Sequence, residues 1–220
     1  MRAVTLWEAA ARNSVPYRVP SGIIDGMQPT LKFAPLFIVT LLTAQALAVD
    51  SSDDLRLDRP TFPKGTTVVT SWASIVPPIR YSDDWVTKAT VGVGYYFWNN
   101  HSLNINAHGM VIDQEGGEAA QGTELSIMGR YHFFNRDKLT VYLDGGIGYT
   151  WLDSPEPKGG TTYNFNPLVG LGAGYQLSDN VWLIGGARYF HMSNARQHGP
   201  DKNPGYDGVE CYVGVLVTLN

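Results

Sequence analysis

The sequence predicts an all-β fold, an eight-stranded antiparallel outer-membrane β-barrel with short periplasmic turns and long external loops. Three observations predict it. Segments of strand length alternate apolar and polar residues, short and long connections alternate strictly between these segments, and aromatic residues cluster at the strand ends. Each observation is weak for a single strand, but together they indicate one barrel that spans residues 66–220.

The N-terminal part of the chain predicts export. An apolar run from Phe33 to Leu42 leads to Ala46-Leu47-Ala48, a small-x-small cleavage pattern, so we interpret residues 27–48 as a signal peptide. Residues 1–26 are then a mis-assigned start or a disordered extension, and residues 49–65 form a periplasmic segment. A helical membrane anchor is the alternative, for which the apolar run is short.

Eight segments carry the strand pattern. We place them at 66–76, 87–98, 102–112, 122–134, 138–152, 163–177, 180–193 and 207–219. Three connections are short, at 99–101, 135–137 and 178–179, whereas those at 77–86, 113–121, 153–162 and 194–206 are long. This alternation is typical of outer-membrane barrels, in which tight periplasmic turns alternate with longer external loops.

The two faces of the strands support an apolar exterior. Aromatic residues that occupy strand ends on the apolar face are Tyr95, Phe97, Tyr131, Phe133, Tyr149, Trp151 and Tyr175. Such residues form interfacial girdles in membrane barrels. Charged residues on the opposite face, Glu124, Arg130, Asp144 and Arg188, are expected to pair inside a narrow lumen.

Composition excludes several other classes of function. The net charge of −4 and the absence of a basic run do not indicate a nucleic-acid-binding surface, so nucleic acid is not an expected partner. The single cysteine, Cys211, is too isolated for a zinc site or an internal disulfide. The serine ester hydrolysis considered below requires neither a metal nor an organic cofactor.

The segment from Arg188 to Ala195 contains the candidate catalytic residues. His191 and Ser193 are two residues apart on a strand, so their side chains project from the same face. Arg188 lies on the other face, and a cation facing acyl chains near the bilayer middle costs about 2–4 kcal/mol. Arg188 should face the lumen, which turns His191 and Ser193 towards lipid at outer-leaflet depth.

These residue types suit nucleophilic ester hydrolysis. Serine needs a base to accept its proton, and the base needs an acid that fixes its tautomer. Two carboxylates open the next strand: Glu210, and Asp207 as the alternative acid. Asp207 lies on the same predicted strand face as Cys211. Glu210 lies on the opposite face, and reaches the face of Cys211 only if a β-bulge shifts the alternation by one residue. The spacing alone also fits interfacial polar residues of a noncatalytic barrel.

His191-x-Ser193-Asn194-Ala195, followed by Asn203-Pro204-Gly205 and Asp207-Gly208-Val209-Glu210, resembles the lipid A 3-O-deacylase family called PagL. The resemblance implies an outer-membrane carboxylic ester hydrolase that removes the 3-O-linked hydroxyacyl chain of lipid A with an exterior Ser-His-Glu triad. It implies Ser193 as nucleophile, His191 as base and Glu210 as acid. Asn194, Asn203 and Gly205 become candidates for oxyanion contacts or loop shape.

The resemblance also implies the partners, which are lipid A or lipopolysaccharide and the outer membrane itself. Whether the chain forms a homodimer is left open. Two alternatives remain: a noncatalytic structural or adhesion barrel, and another lipid acyl hydrolase or transferase barrel.

Overall fold

The computed structural model describes residues 61–80, 83–114 and 119–219. None of the helices in these ranges is long and apolar enough to cross a membrane. The predictions for residues 1–26 and 27–48, and for most of 49–65, lie outside the described residues and stay predictions.

The described chain folds almost entirely into strands. In chain order these are β1 (Thr67–Val76), β2 (Pro78–Arg80), β3 (Trp85–Trp98), β4 (His101–Asp113), β5 (Ala120–Arg136), β6 (Leu139–Leu152), β7 (Tyr163–Ser178), β8 (Val181–Met192) and β9 (Tyr206–Thr218). One 3₁₀ turn, Pro200–Lys202, lies in the loop before β9.

All strand pairs are antiparallel, and the sheet closes on itself because β1 pairs with β9. The eight long strands form the barrel wall, which confirms the predicted fold, and their ends lie within two residues of the predicted ones. The short β2 was not predicted. It follows Pro77, which lacks the N–H that a ladder needs, and it pairs with the start of β9.

Turns at one end of the barrel are tight, and loops at the other end are long. Asn100 and Asp137 adopt left-handed backbone conformations (φ of 63° and 49°) in two of the tight turns, as Asn and Asp tolerate well. The ends are called here the short-turn end and the long-loop end. Strand β8 runs towards the long-loop end, and β9 returns from it.

A chain of ion pairs crosses the lumen. Arg130 and Arg188 both bind Asp144, with Arg130 Nε 2.7 Å from Oδ1 and Arg188 Nη2 2.7 Å from Oδ2. Arg188 Nη1 reaches Glu210 Oε2 at 3.4 Å, and Lys88 Nζ lies 3.8 Å from Glu210 Oε1. The chain ends where Lys88 binds Glu124 at 3.1 Å. These six groups are three cations and three anions, so the lumen network is balanced.

Burial explains why the six groups pair so completely. Their side chains are at most 2% exposed, and an isolated buried charge would be far more costly than a paired one. The four interior residues expected from sequence all belong to this network. Lys88 and Glu210 belong to it as well. The sequence assigns no role to Lys88, and the family resemblance implies Glu210 as a member of an exterior triad.

Apolar clusters close the lumen above and below the charges. Near the short-turn end Phe62 stacks on Tyr96, with ring centroids 4.8 Å apart, and also contacts Trp182. At the long-loop end, Phe190 and Tyr206 belong to a second buried cluster. The lumen is therefore a packed core rather than a channel.

The exterior of the barrel is apolar. Exposed aliphatic side chains on the outer face include Val93, Ile105, Ile127, Leu171, Leu183 and Val213. The predicted end aromatics are exposed as well, except Tyr149, which is half-buried against Trp151 and Phe165. An apolar band flanked by aromatic residues is the pattern of a barrel that sits in lipid.

We expect Arg188→Met to lower the free energy of unfolding by about 3–5 kcal/mol, because Asp144 and Glu210 both lose a buried partner. Reversible urea unfolding in lipid vesicles, followed by tryptophan fluorescence, measures the change. Leu171→Ala on the exposed outer face is the control and should cost far less. Equal losses for the two variants would contradict a structural role of the lumen network.

Candidate active site on the barrel exterior

The pairing of β8 with β9 positions the candidate residues. The register runs without a shift from Val181↔Val217 to Met192↔Tyr206, which places His191 opposite Asp207 and Arg188 opposite Glu210. Because side chains alternate between faces, the first pair lies on the exterior and the second in the lumen. No bulge interrupts this part of the ladder, so the phase of β9 holds through residue 207.

Ser193, His191 and Asp207 form a continuous chain of hydrogen bonds on the exterior. His191 Nδ1 lies 2.6 Å from Asp207 Oδ1, and His191 Nε2 lies 3.0 Å from Ser193 Oγ. A carboxylate only accepts, so Nδ1 carries the proton and Nε2 is left to accept from the serine hydroxyl. The arrangement has the geometry that a base-activated serine requires.

The structure does not bring Glu210, predicted as the acid, to His191. Glu210 is fully buried in the lumen, where Ser74 Oγ donates to its Oε1 at 2.8 Å and Arg188 binds its Oε2. The sequence offered a bulge as the way to bring Glu210 outside, and the regular register excludes it. Asp207, named from sequence as the alternative acid, occupies the position beside His191.

Ser193 is held by strand β7 as well as by β8. Its N–H donates to the carbonyl of Phe165 at 3.1 Å, and the Phe165 N–H donates to the Ser193 carbonyl at 2.7 Å. This isolated bridge continues the β7–β8 ladder past Pro167, which has no N–H to offer. The nucleophile candidate therefore sits on fixed backbone, although it directly precedes a long loop.

The loop from Asn194 to Gly205 is tied by one amide pair. Asn194 N–H donates to Asn203 Oδ1 at 2.9 Å, and Asn194 Nδ2 donates to the Lys202 carbonyl at 2.6 Å. Gly205 has a φ of 73°, a conformation that favours glycine, where the loop turns into β9. Asn194 and Gly205 thus determine the shape of the loop that brings Asp207 back to His191.

Tyr189 belongs to the same group, although it was not predicted to. Its hydroxyl donates to Asp207 Oδ1 at 2.6 Å, the oxygen that also accepts from His191. A signal was present in the sequence, because Tyr189, His191 and Ser193 share one face with period two.

Residues on β7 support the loop from the other side. The Tyr163 hydroxyl lies 2.6 Å from His198 Nε2, so the side chain of His198 in the loop is tied to the start of β7.

Among the described residues, no group of three or more His, Cys, Asp or Glu side chains is placed to hold a metal ion.

The model of the family described as lipid A 3-O-deacylase (PagL) matches residues 67–215 of the chain. The chain belongs to the PagL family. The matched range includes His191, Ser193 and Asp207, and it covers the whole barrel wall apart from the last residues of β9. No curated protein matches the chain in sequence.

Solved structures with the same fold are outer-membrane barrels. The crystal structure of the outer membrane enzyme PagL is 14% identical, with a TM-score of 0.54 over 67% of this chain and 98% of that chain. Neisserial surface protein A is 15% identical, with a TM-score of 0.55 over 70% of this chain and 97% of its own. The N-terminal barrel domain of Pseudomonas aeruginosa OprF is 12% identical, with a TM-score of 0.51 over 71% and 98%. These likenesses show the fold.

A buried carboxyl pair lies at the long-loop end of this PagL-family barrel. The Glu156 side chain is fully buried, its Oε2 accepts from Gln114 Nε2 at 2.6 Å, and its carboxyl group also contacts that of Asp84. Burial, and then the neighbouring Asp84, raise the pKa of Glu156 to about 7. The contact between the two carboxyl groups joins two of the long loops.

The raised pKa predicts that this loop contact weakens with increasing pH. Its stabilising contribution is full below the usual glutamate pKa of 4.5 and is lost as the pH rises through about 7. Amide hydrogen exchange of residues 153–162, corrected for intrinsic rates, should therefore be slower at about pH 5 than at about pH 8. Glu156→Gln, which keeps the neutral shape, should remove most of this difference, and an unchanged difference would contradict the assignment.

Proposed function

We propose that this protein is an outer-membrane esterase that hydrolyses the 3-O-linked hydroxyacyl chain of lipid A. Ser193 is the nucleophile, His191 the general base and Asp207 the acid that orients the imidazole. Membership of the PagL family supports the substrate class. The single observation that carries the chemistry is the hydrogen-bonded chain Ser193–His191–Asp207 on the barrel exterior.

The proposed reaction proceeds in two steps. His191 Nε2 accepts the Ser193 hydroxyl proton while Oγ attacks the ester carbonyl, and the imidazolium then donates that proton to the sugar oxygen as the ester C–O bond breaks, which leaves a free sugar hydroxyl and an acyl-serine. Water, deprotonated by His191 in turn, releases the fatty acid from the acyl-serine. Asp207 keeps the Nδ1 proton in place and stabilises the imidazolium, without being protonated itself.

Asn203 is the proposed side-chain donor for the developing oxyanion. Because a backbone N–H must meet an acceptor, the contact with Asn194 N identifies the Asn203 atom there as Oδ1. The side-chain nitrogen of Asn203 therefore carries the two N–H groups that we propose as oxyanion donors. Asn194 acts on loop shape instead, since both its backbone N–H and its side-chain amide bind within the loop.

The location of the site suits a lipid substrate. The lumen is filled with side chains, so a substrate has no path through it, whereas the triad lies on the apolar exterior near the long-loop end. We place that end at the outer leaflet, because long loops are external in barrels of this kind. Lipid A then approaches from the side, with its acyl chains against the barrel wall.

Replacing the nucleophile is the first test. We expect Ser193→Ala to abolish removal of one hydroxyacyl chain from lipid A, as measured by mass spectrometry of lipid A incubated with the purified barrel. Heat-modifiable migration on gels checks that the variant folds. Undiminished release by a folded Ser193→Ala barrel would remove the proposal, and a product of increased mass would indicate acyl transfer instead.

The identity of the acid gives a second test with matched amide variants. Asp207→Asn should lower kcat by about 10³–10⁴-fold, because an amide leaves the imidazole in the wrong tautomer. Glu210→Gln removes a lumen charge, so per folded molecule it should change kcat by less than about fivefold. The reverse order of the two effects would show that Glu210 acts on His191 and would contradict the assignment.

A further inference from the structure

Asp207 is a nearly buried carboxylate on the outer face of the barrel. Its side chain is only 8% exposed, yet it lies on the outer face of a barrel wall whose neighbouring surface is apolar. A carboxylate at such a boundary needs hydrogen-bond donors to replace water, and a short aspartate side chain must keep one rotamer to reach His191. A side chain on the neighbouring strand β8 both donates a hydrogen bond to Asp207 and restricts its rotamer.

We infer that Tyr189 is a positioning residue that holds Asp207 in line with His191. This inference rests on the proposed function. The Tyr189 hydroxyl donates to Asp207 Oδ1 at 2.6 Å, a length typical of a charge-assisted O–H···O⁻ bond. The same oxygen accepts from His191 Nδ1 at 2.6 Å, so the two donors fix it from two sides.

The geometry of the strand pair explains why a tyrosine fits this position. Tyr189 is opposite Val209, which makes Asp207 its diagonal neighbour on the same face. Diagonal neighbours across a strand pair are about 7–8 Å apart, a gap that a long aromatic side chain spans and a short one does not. His191 reaches the same carboxylate from directly opposite, so Asp207 lies between the two rings.

The orientation of the ring distinguishes Tyr189 from an ordinary interfacial tyrosine. Interfacial tyrosines direct the hydroxyl to water and bury the ring in lipid. Tyr189 is 44% exposed on the exterior, and its hydroxyl points along the outer wall towards the long-loop end, where it donates to a carboxylate that is nearly covered. The ring covers the triad acid on the short-turn side and shields it from the surrounding lipid.

Tyr189→Phe tests the inference, because it removes the hydroxyl and keeps the ring surface. We expect kcat for release of the hydroxyacyl chain from lipid A in mixed micelles to fall about 10- to 100-fold. The KM should change by less than about twofold, since the ring that borders the substrate surface is retained. Tyr175→Phe is the matched control: Tyr175 is a similarly exposed tyrosine on β7 near the short-turn end, and this variant should retain wild-type kcat and KM.

A double-mutant cycle separates positioning from a general structural effect. In an Asp207→Ala background the Tyr189 hydroxyl has no carboxylate to hold, so adding Tyr189→Phe should change the residual kcat by less than about twofold. A further 10- to 100-fold loss in that background would overturn the inference, because Tyr189 would then act elsewhere. A wild-type kcat for the single Tyr189→Phe variant would overturn it as well.

These outcomes are distinct from failure of the proposed function. If Ser193→Ala is inactive and Asp207→Ala lowers kcat by about 10³–10⁴-fold while Tyr189→Phe retains full kcat, the triad stands and only the positioning role fails. If folded Ser193→Ala remains active, the proposed function fails first, and the positioning role fails with it because it has no triad to serve.

Discussion

The ion-pair network in the lumen is the constraint on which the rest of the structure depends. Asp144 binds two arginines, and Arg188 connects it to Glu210. None of these charges can face lipid at an acceptable cost, so together they fix which face of β5, β6, β8 and β9 points inward. Since strand side chains alternate, fixing Arg188 inside also fixes Tyr189 and His191 outside.

An exterior site follows from this same arrangement. Among the described residues, paired charges and apolar clusters fill the lumen, so the barrel interior is a packed core. The chemistry-bearing side chains therefore lie on two adjacent strands, next to the lipid that supplies the proposed substrate. Placement on strands holds His191 and Asp207 more firmly than loops would, and the bridge between Ser193 and Phe165 extends that support to the end of β8.

Much of the fold could be predicted because barrel strands repeat a simple rule. Period-two alternation and loop lengths gave all eight wall strands, and four interior charges were recognised from their phase. The short β2 was missed because Pro77 and Pro78 are typical of loops, so the three-residue strand that they begin carries no strand pattern. Lys88 was missed because a single cation carries no information about its partners, which lie on β5 and β9.

The sequence by itself determined the barrel, the outward face of His191 and Ser193, and the family, because these depend on local alternation and on a contiguous motif. It left the third member of the triad open between two carboxylates. Only the tertiary structure places Asp207, and not Glu210, beside His191: an unbroken β8–β9 register sets Asp207 opposite His191, while Arg188, Lys88 and Ser74 hold Glu210 inside. Register and ion pairing join residues that are distant in the chain, so no local pattern encodes them.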